Sequence, residues 1–93
     1  MVAETIRQQI GAPALFMLGA HTFFKTDDSL EFRIRGSRKV NYIKVTLHPS
    51  DTYIMEFGRI RGMNYKMVMT YEGVFWDMLC DLIEQETGLY TSL

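Results

Sequence analysis

Arg33 and Arg35, Lys44, Arg59 and Arg61, and Lys66 sit at alternate positions in runs that are otherwise largely apolar. Successive side chains of a strand point to opposite faces, so this spacing can gather cations on one face of a sheet. Cations arranged in this way can follow a phosphate backbone, and an aromatic ring beside them, here Tyr42, can stack on a base. Arg38 and Lys39, in the turn Gly36-Ser37-Arg38-Lys39, would extend the same surface. A plainer reading stands beside this one. Outward positions of a half-exposed antiparallel sheet are commonly Lys, Arg and Thr, which also discourage edge pairing, and a charged turn is usually just solvated. The overall pI near 6.1 lies below the basic range usual for a nucleic-acid domain.

Other residue types offer less. His21 and His48 have no second His or Cys at ligand spacing, and no Ser-His-Asp or Cys-His arrangement is legible. Metal binding and hydrolysis are therefore not expected, no cofactor is implied, and the chain reads as a binding protein rather than an enzyme. Cys80 falls on the flank of a helical apolar stripe and suits a small buried hydrophobe better than a nucleophile. Asp77, Asp81 and Glu84 share a helix face that could imitate phosphates toward a basic partner, although such a row is usually a solvent face. Met55, Met63, Met67 and Met69 could form an adaptable partner surface. The alternation of Met67 and Met69 in phase with Tyr65 and Tyr71 favours core filling instead.

The net charge of −1 conceals a polarised distribution. Residues 1–31 hold two bases against four acids, residues 32–70 eight bases against two acids, and residues 71–93 five acids and no base. A basic middle and an acidic end imply a surface with separated poles. Ninety-three residues make one domain, 1–93, whose core is small enough that a second subunit could complete it. An apolar fraction of 47% and a charged fraction of 23% exclude a disordered chain. The lone cysteine suits a reducing compartment, no charged-then-apolar leader opens the chain, and no apolar run approaches the length of a membrane span. A cytoplasmic protein is expected.

The elements that must position the cations can be read along the chain. Val2, Ile6 and Ile10 recur at helical spacing before Gly11, which predicts a helix over 2–10, and Pro13 opens a run to Leu18 that could be a helical turn or a buried strand. Ala20 to Lys25 reads as extended, ending at the turn residues 26–29. Leu30 to Arg35 and Val40 to Leu47 alternate as a hairpin pair, and Thr52 to Arg61 and Met63 to Tyr71 follow as two further strands. Unbroken alternation would put Arg59 and Arg61 on the apolar face of Tyr53, Met55 and Phe57, so a bulge at Gly58 is expected to return them to the exposed face with Ile60 inward. Phe75, Met78, Leu79, Leu82 and Ile83 form one stripe of a helix that Glu72 precedes, that Trp76 borders and that Gly88 caps. That stripe is expected to pack on the sheet, and the tail Leu89 to Leu93 to add an edge strand or dock across it.

The strings Arg-Ile-Arg-Gly-Ser-Arg-Lys-Val-Asn-Tyr-Ile-Lys-Val-Thr-Leu, Met-Glu-Phe-Gly-Arg-Ile-Arg-Gly and Glu-Thr-Gly-Leu-Tyr-Thr-Ser-Leu resemble those of a small family of uncharacterised phage and mobile-element proteins, over most of the chain from Ile6 onward. That resemblance carries no activity with it and implies an intracellular accessory protein, in the host cytoplasm if phage-encoded. Four antiparallel strands followed by a helix are also similar in architecture to the dimeric single-strand-binding domains of transcriptional positive cofactors, though no motif of theirs is matched.

The expectation is therefore an α+β fold, with a short N-terminal helical region, a mainly antiparallel sheet of four or five strands and a C-terminal amphipathic helix on one face. The function expected is binding of single-stranded nucleic acid on a basic sheet face by Arg33, Arg35, Arg38, Lys39, Tyr42, Lys44, Arg59, Arg61 and Lys66. The alternative is a module that binds a host or phage protein, such as an inhibitor of a host defence complex or a virion-assembly component. A homodimer is the expected assembly, and no membrane partner is expected.

Overall fold

A computed structural model describes residues 2–92. The chain begins with helix α1 (Val2–Ile10) and a shorter α2 (Ala12–Met17). Five strands follow, β1 (His21–Lys25), β2 (Ser29–Arg33), β3 (Tyr42–Leu47), β4 (Tyr53–Arg61) and β5 (Asn64–Val74). A single 3-10 turn (Trp76–Met78) then leads into α3 (Leu79–Thr87). The strands pair in chain order, all antiparallel, in one open sheet. This is the expected α+β class.

The period-two pattern sets the two faces. Register pairs Leu30 with Val45, Phe32 with Ile43, Val45 with Met55 and Ile43 with Phe57, so these side chains share one face. All of them are buried against Ile6 and Ile10 of α1 and Leu79 and Ile83 of α3. Tyr53 on that face donates to Gln9 Oε1 of α1 at 2.6 Å, and the Cys80 thiol of α3 donates to the Ile10 carbonyl at 3.3 Å. Both contacts involve the helical layer. The opposite face, with Glu31, Arg33, Tyr42, Lys44, Thr46 and Glu56, is open. At about 1.5–3 kcal/mol for each fully buried large aliphatic or aromatic side chain, the helix-side face is what holds the fold.

Two expectations about the C-terminal region are corrected. Glu72 lies in β5 rather than ahead of a helix, and the α-helix starts at Leu79. Phe75 is extended, and the turn after it is 3-10, so Phe75, Trp76 and Met78 stay 58%, 61% and 39% exposed; of the predicted stripe only Leu79 and Ile83 are fully buried. The chain after Gly88, which caps α3 in the left-handed conformation, is not a strand. It folds back instead: Thr91 donates to Glu84 Oε2 from both its backbone N–H (2.8 Å) and its hydroxyl (2.6 Å). Leu93 lies outside the described residues.

These two bonds hold the Glu84 carboxyl below its ordinary range. A carboxylate with a lowered folded-state pKa stabilises above its unfolded pKa, and this stability is lost as pH falls through the folded value. Glu84→Gln should therefore narrow the difference in Tm between about pH 6 and about pH 3, a window spanning ordinary carboxylate titration. Thermal melts of both proteins at the two pH values measure this; an unchanged pH dependence would remove Glu84 from the acid response.

Candidate nucleic-acid interface

The expected cations do not form a basic sheet face. Register places Lys44 between Glu31 and Glu56 on its neighbouring strands, and Lys44 Nζ lies 4.0 Å from Glu31, so the centre of the open face sets two carboxylates around one ammonium and is not basic. Arg33 is the other expected cation on that face, exposed, beside Tyr42. The bulge is also not at Gly58. Pairs Phe57 with Met69 and Gly58 with Met67 leave Val68 as the extra residue, on β5. β4 therefore alternates without interruption, and Arg59 and Arg61 keep the parity of Phe57, with Ile60 on the open side. Burial is avoided because the helices do not cover this end of the sheet. Arg61 is exposed, while half-buried Arg59 donates from Nη1 to the Ser37 carbonyl at 3.2 Å. Lys66, opposite Arg59, shares its parity and is exposed.

What the fold brings together is an end, not a face. The β2–β3 loop, residues 34–41, meets the close of β4 because the Asn41 side chain acts like a strand neighbour: its amide nitrogen donates to the Ile60 carbonyl at 2.8 Å and its oxygen accepts from the Ile60 N–H at 2.7 Å. The Asn41 backbone N–H donates to the Gly58 carbonyl. Ser37 Oγ tightens the loop by accepting from the N–H groups of Lys39 and Val40. Arg35 is anchored through its backbone N–H to the Leu18 carbonyl. This end consequently carries Arg33, Arg35, Arg38, Lys39, Arg59, Arg61 and Lys66. The opposite end, formed by the β1–β2 and β3–β4 turns and the close of β5, carries Asp27, Asp28, Asp51 and Glu72.

Of the basic-end cations, Lys39 is tied to the buried Glu86 carboxylate at 3.5 Å, and Glu86 also accepts from the Tyr71 hydroxyl at 2.5 Å. That bond lifts the Tyr71 phenol above its ordinary range. Among the described residues, Arg33, Arg35, Arg38, Arg59, Arg61 and Lys66 form no ion pair. Guanidinium and ammonium groups left without carboxylates are available to phosphates.

The aromatic partner expected at Tyr42 is joined by one that period counting put on the wrong face. The β5 bulge turns Tyr65 to the open side, where its ring lies edge-on to Tyr42 with centroids 5.4 Å apart. Tyr42 is half-buried and Tyr65 48% exposed, so Tyr65 is the ring a base can reach. Burial first, and the nearby Glu31 carboxylate next, push the Tyr42 phenol up; burial, then Glu56, does the same for Tyr65. Both stay neutral and apolar-faced at physiological pH. A lone sequence cannot reveal Tyr65 in this role, because the shift depends on which strand of a pair takes the extra residue.

Gly58 makes room for that ring: a Cβ there would lie 2.4 Å from Tyr65 Cε1. Gly58→Ala should cost about 1 kcal/mol with Tyr65 present, by forcing the ring off its rotamer, and close to nothing in the Tyr65→Ala background. Denaturant melts of the four proteins in this cycle measure the coupling; a penalty that persists without Tyr65 would place the clash elsewhere.

The remaining candidates are structural. Met55 is core, whereas Met63, Met67 and Met69 are exposed, so core filling accounts for only one of the four. The half-buried Cys80 thiol is raised above its ordinary range, mainly by burial. His21 bonds Thr22 and His48 bonds Ser50. Among the described residues, no group of three or more His, Cys, Asp or Glu is placed to hold a metal ion, and no helix is long and apolar enough to cross a membrane. Comparison of the chain with family models, with curated proteins and with solved structures finds no match in any of the three.

Proposed function

We propose that this domain binds single-stranded nucleic acid across the basic end of its sheet. Arg35, Arg38, Arg61 and Lys66 contact phosphates there, Arg33 borders the open face, and Tyr65, backed by Tyr42, stacks on an unpaired base. The observation that carries the reading is the convergence of six cations without ion pairs on the end formed by residues 34–41 and the β4–β5 hairpin. A stacking ring beside the cations favours single strands, because a paired base presents no free face to it. The resemblance of the sequence to phage and mobile-element proteins fits an accessory role of this kind, exercised in the cytoplasm without chemistry of its own.

Fluorescence anisotropy with labelled mixed-sequence single-stranded and double-stranded oligonucleotides, at ~50 and ~200 mM salt, tests the proposal because phosphate contacts release counterions over that range. Tighter binding of the single strand, falling steeply with salt, is expected. No binding at the lower salt, or equal binding of both forms, would overturn it.

A further inference from the structure

The crossover from β5 to α3 keeps large apolar side chains out of the core. Val74 and Leu79 bracket it and are both buried, yet Phe75, Trp76 and Met78 between them stay exposed. The extended Phe75 and the 3-10 turn break the stripe that a helix would have laid on the sheet. Four consecutive residues reach at most roughly 14 Å, so these side chains crowd onto one corner of the molecule. Concentrated apolar exposure of this kind marks interaction sites, and Trp, Phe and Met are side chains that interfaces favour.

The charge around this corner identifies the partner. Asp77 lies within the segment, and Glu72 and Asp81 stand three residues beyond either end of it. All three are exposed, and among the described residues none forms an ion pair. The β3–β4 turn, which carries exposed Asp51, closes through His48, Ser50 and Thr52 on Glu72 and Gly73 around a cleft of about 210 Å³. Residues 71–93 hold no Lys or Arg. Carboxylates gathered here repel phosphate groups, whether of a nucleic acid or of an anionic membrane surface. They attract lysine and arginine, and the Trp76 ring offers either cation a face.

We infer that the corner formed by Phe75, Trp76 and Met78 is a docking site for a basic segment of another protein. An apolar side chain of that segment meets Trp76, and the Lys or Arg residues flanking it meet Glu72, Asp77 and Asp81. The corner lies at the opposite end of the sheet from residues 34–41, so this inference stands apart from the nucleic-acid reading.

Trp76 is the single tryptophan of the chain, so its emission reports on this corner alone. The probe is a short peptide of alternating Lys and Leu, with a peptide of alternating Glu and Leu as its control. Anisotropy of the labelled Lys-Leu peptide should show binding with Kd between ~1 and ~100 μM. Unlabelled peptide should move the Trp76 emission to shorter wavelength, and binding should weaken between ~50 and ~200 mM salt. Trp76→Ser, and Asp77→Asn with Asp81→Asn, change exposed positions and should keep the fold by circular dichroism. Each should weaken peptide binding at least ~10-fold, whereas Phe16→Ser, at an exposed apolar residue of α2, should bind as the parent does. No binding with the chain at ~500 μM, beyond the range of modest interfaces, would overturn the inference. So would equal binding of the Glu-Leu peptide, a Trp76 emission that does not move, or variants that bind like the parent. An emission shift that follows protein concentration without any peptide would seat a second copy at this corner and overturn it too.

Discussion

The Arg38→Glu, Arg61→Glu double variant should bind single-stranded oligonucleotides on the order of 100-fold more weakly than the parent, two charge-assisted contacts being worth about 1.5 kcal/mol or more each. These two residues are chosen because both are exposed and neither has a hydrogen-bond or ion-pair partner, so reversal removes attraction without breaking the fold. Arg59 is a poorer choice, since its bond to the Ser37 carbonyl helps hold the loop that carries Arg38. The slope of log K against log salt should shrink by about 1.4, the share of two phosphates on a single strand. Reversing Lys25, at the far end of the sheet and paired with Glu4 at 3.0 Å, should leave affinity unchanged. Equal losses at Lys25 and at the Arg38–Arg61 pair would mean that binding follows overall charge rather than the basic end.

Phe57→Ala should lower stability by about 3–5 kcal/mol, enough to remove much of the roughly 5–15 kcal/mol that a domain of this size commands. The Phe57 side chain is fully buried, lies opposite Ile43 on β3 and meets the Tyr71 ring edge-on at 6.1 Å. Its removal leaves a hole that neighbours on a paired central strand cannot close. The fall in Tm should be roughly 12–40 °C by circular dichroism. Met69→Ala, at the position facing Phe57 on the exposed edge strand, should cost under about 1 kcal/mol. Similar losses at both positions would show that β5 is as much part of the core as β4.

Both predictions turn on features that differ in how far the sequence reveals them. Alternation along single strands was enough to place Leu30, Phe32, Ile43, Val45, Met55 and Phe57 on the helix side, because side-chain direction in a strand is a local property. Which of two paired strands absorbs an extra residue is a property of the pair. The bulge expected at Gly58 therefore sits instead at Val68, and it moves Tyr65 and Met67 to the open face while Arg59 and Arg61 keep their phase. The expense of burying two arginines was real, but it is avoided by the reach of the helical layer, which no count along β4 can measure. The cations gather because a meander returns the β2–β3 and β4–β5 connections to the same end, a consequence of topology that appears in the sequence only as a basic middle segment. The C-terminal helix was legible from Leu79 onward and misread before it, where extended Phe75 and a 3-10 turn interrupt the stripe.

The strict neighbour-to-neighbour order of the strands also has a kinetic side. Each hairpin can close across a short connection as soon as its second strand exists, which keeps the entropy of loop closure small and favours rapid pairing. The helical layer is the reverse. The bond from Cys80 to the Ile10 carbonyl spans 70 residues, and the face bearing Phe57 and Met55 stays uncovered until α3 docks. During synthesis the sheet can assemble in chain order, and closure over its apolar side waits for the last helix.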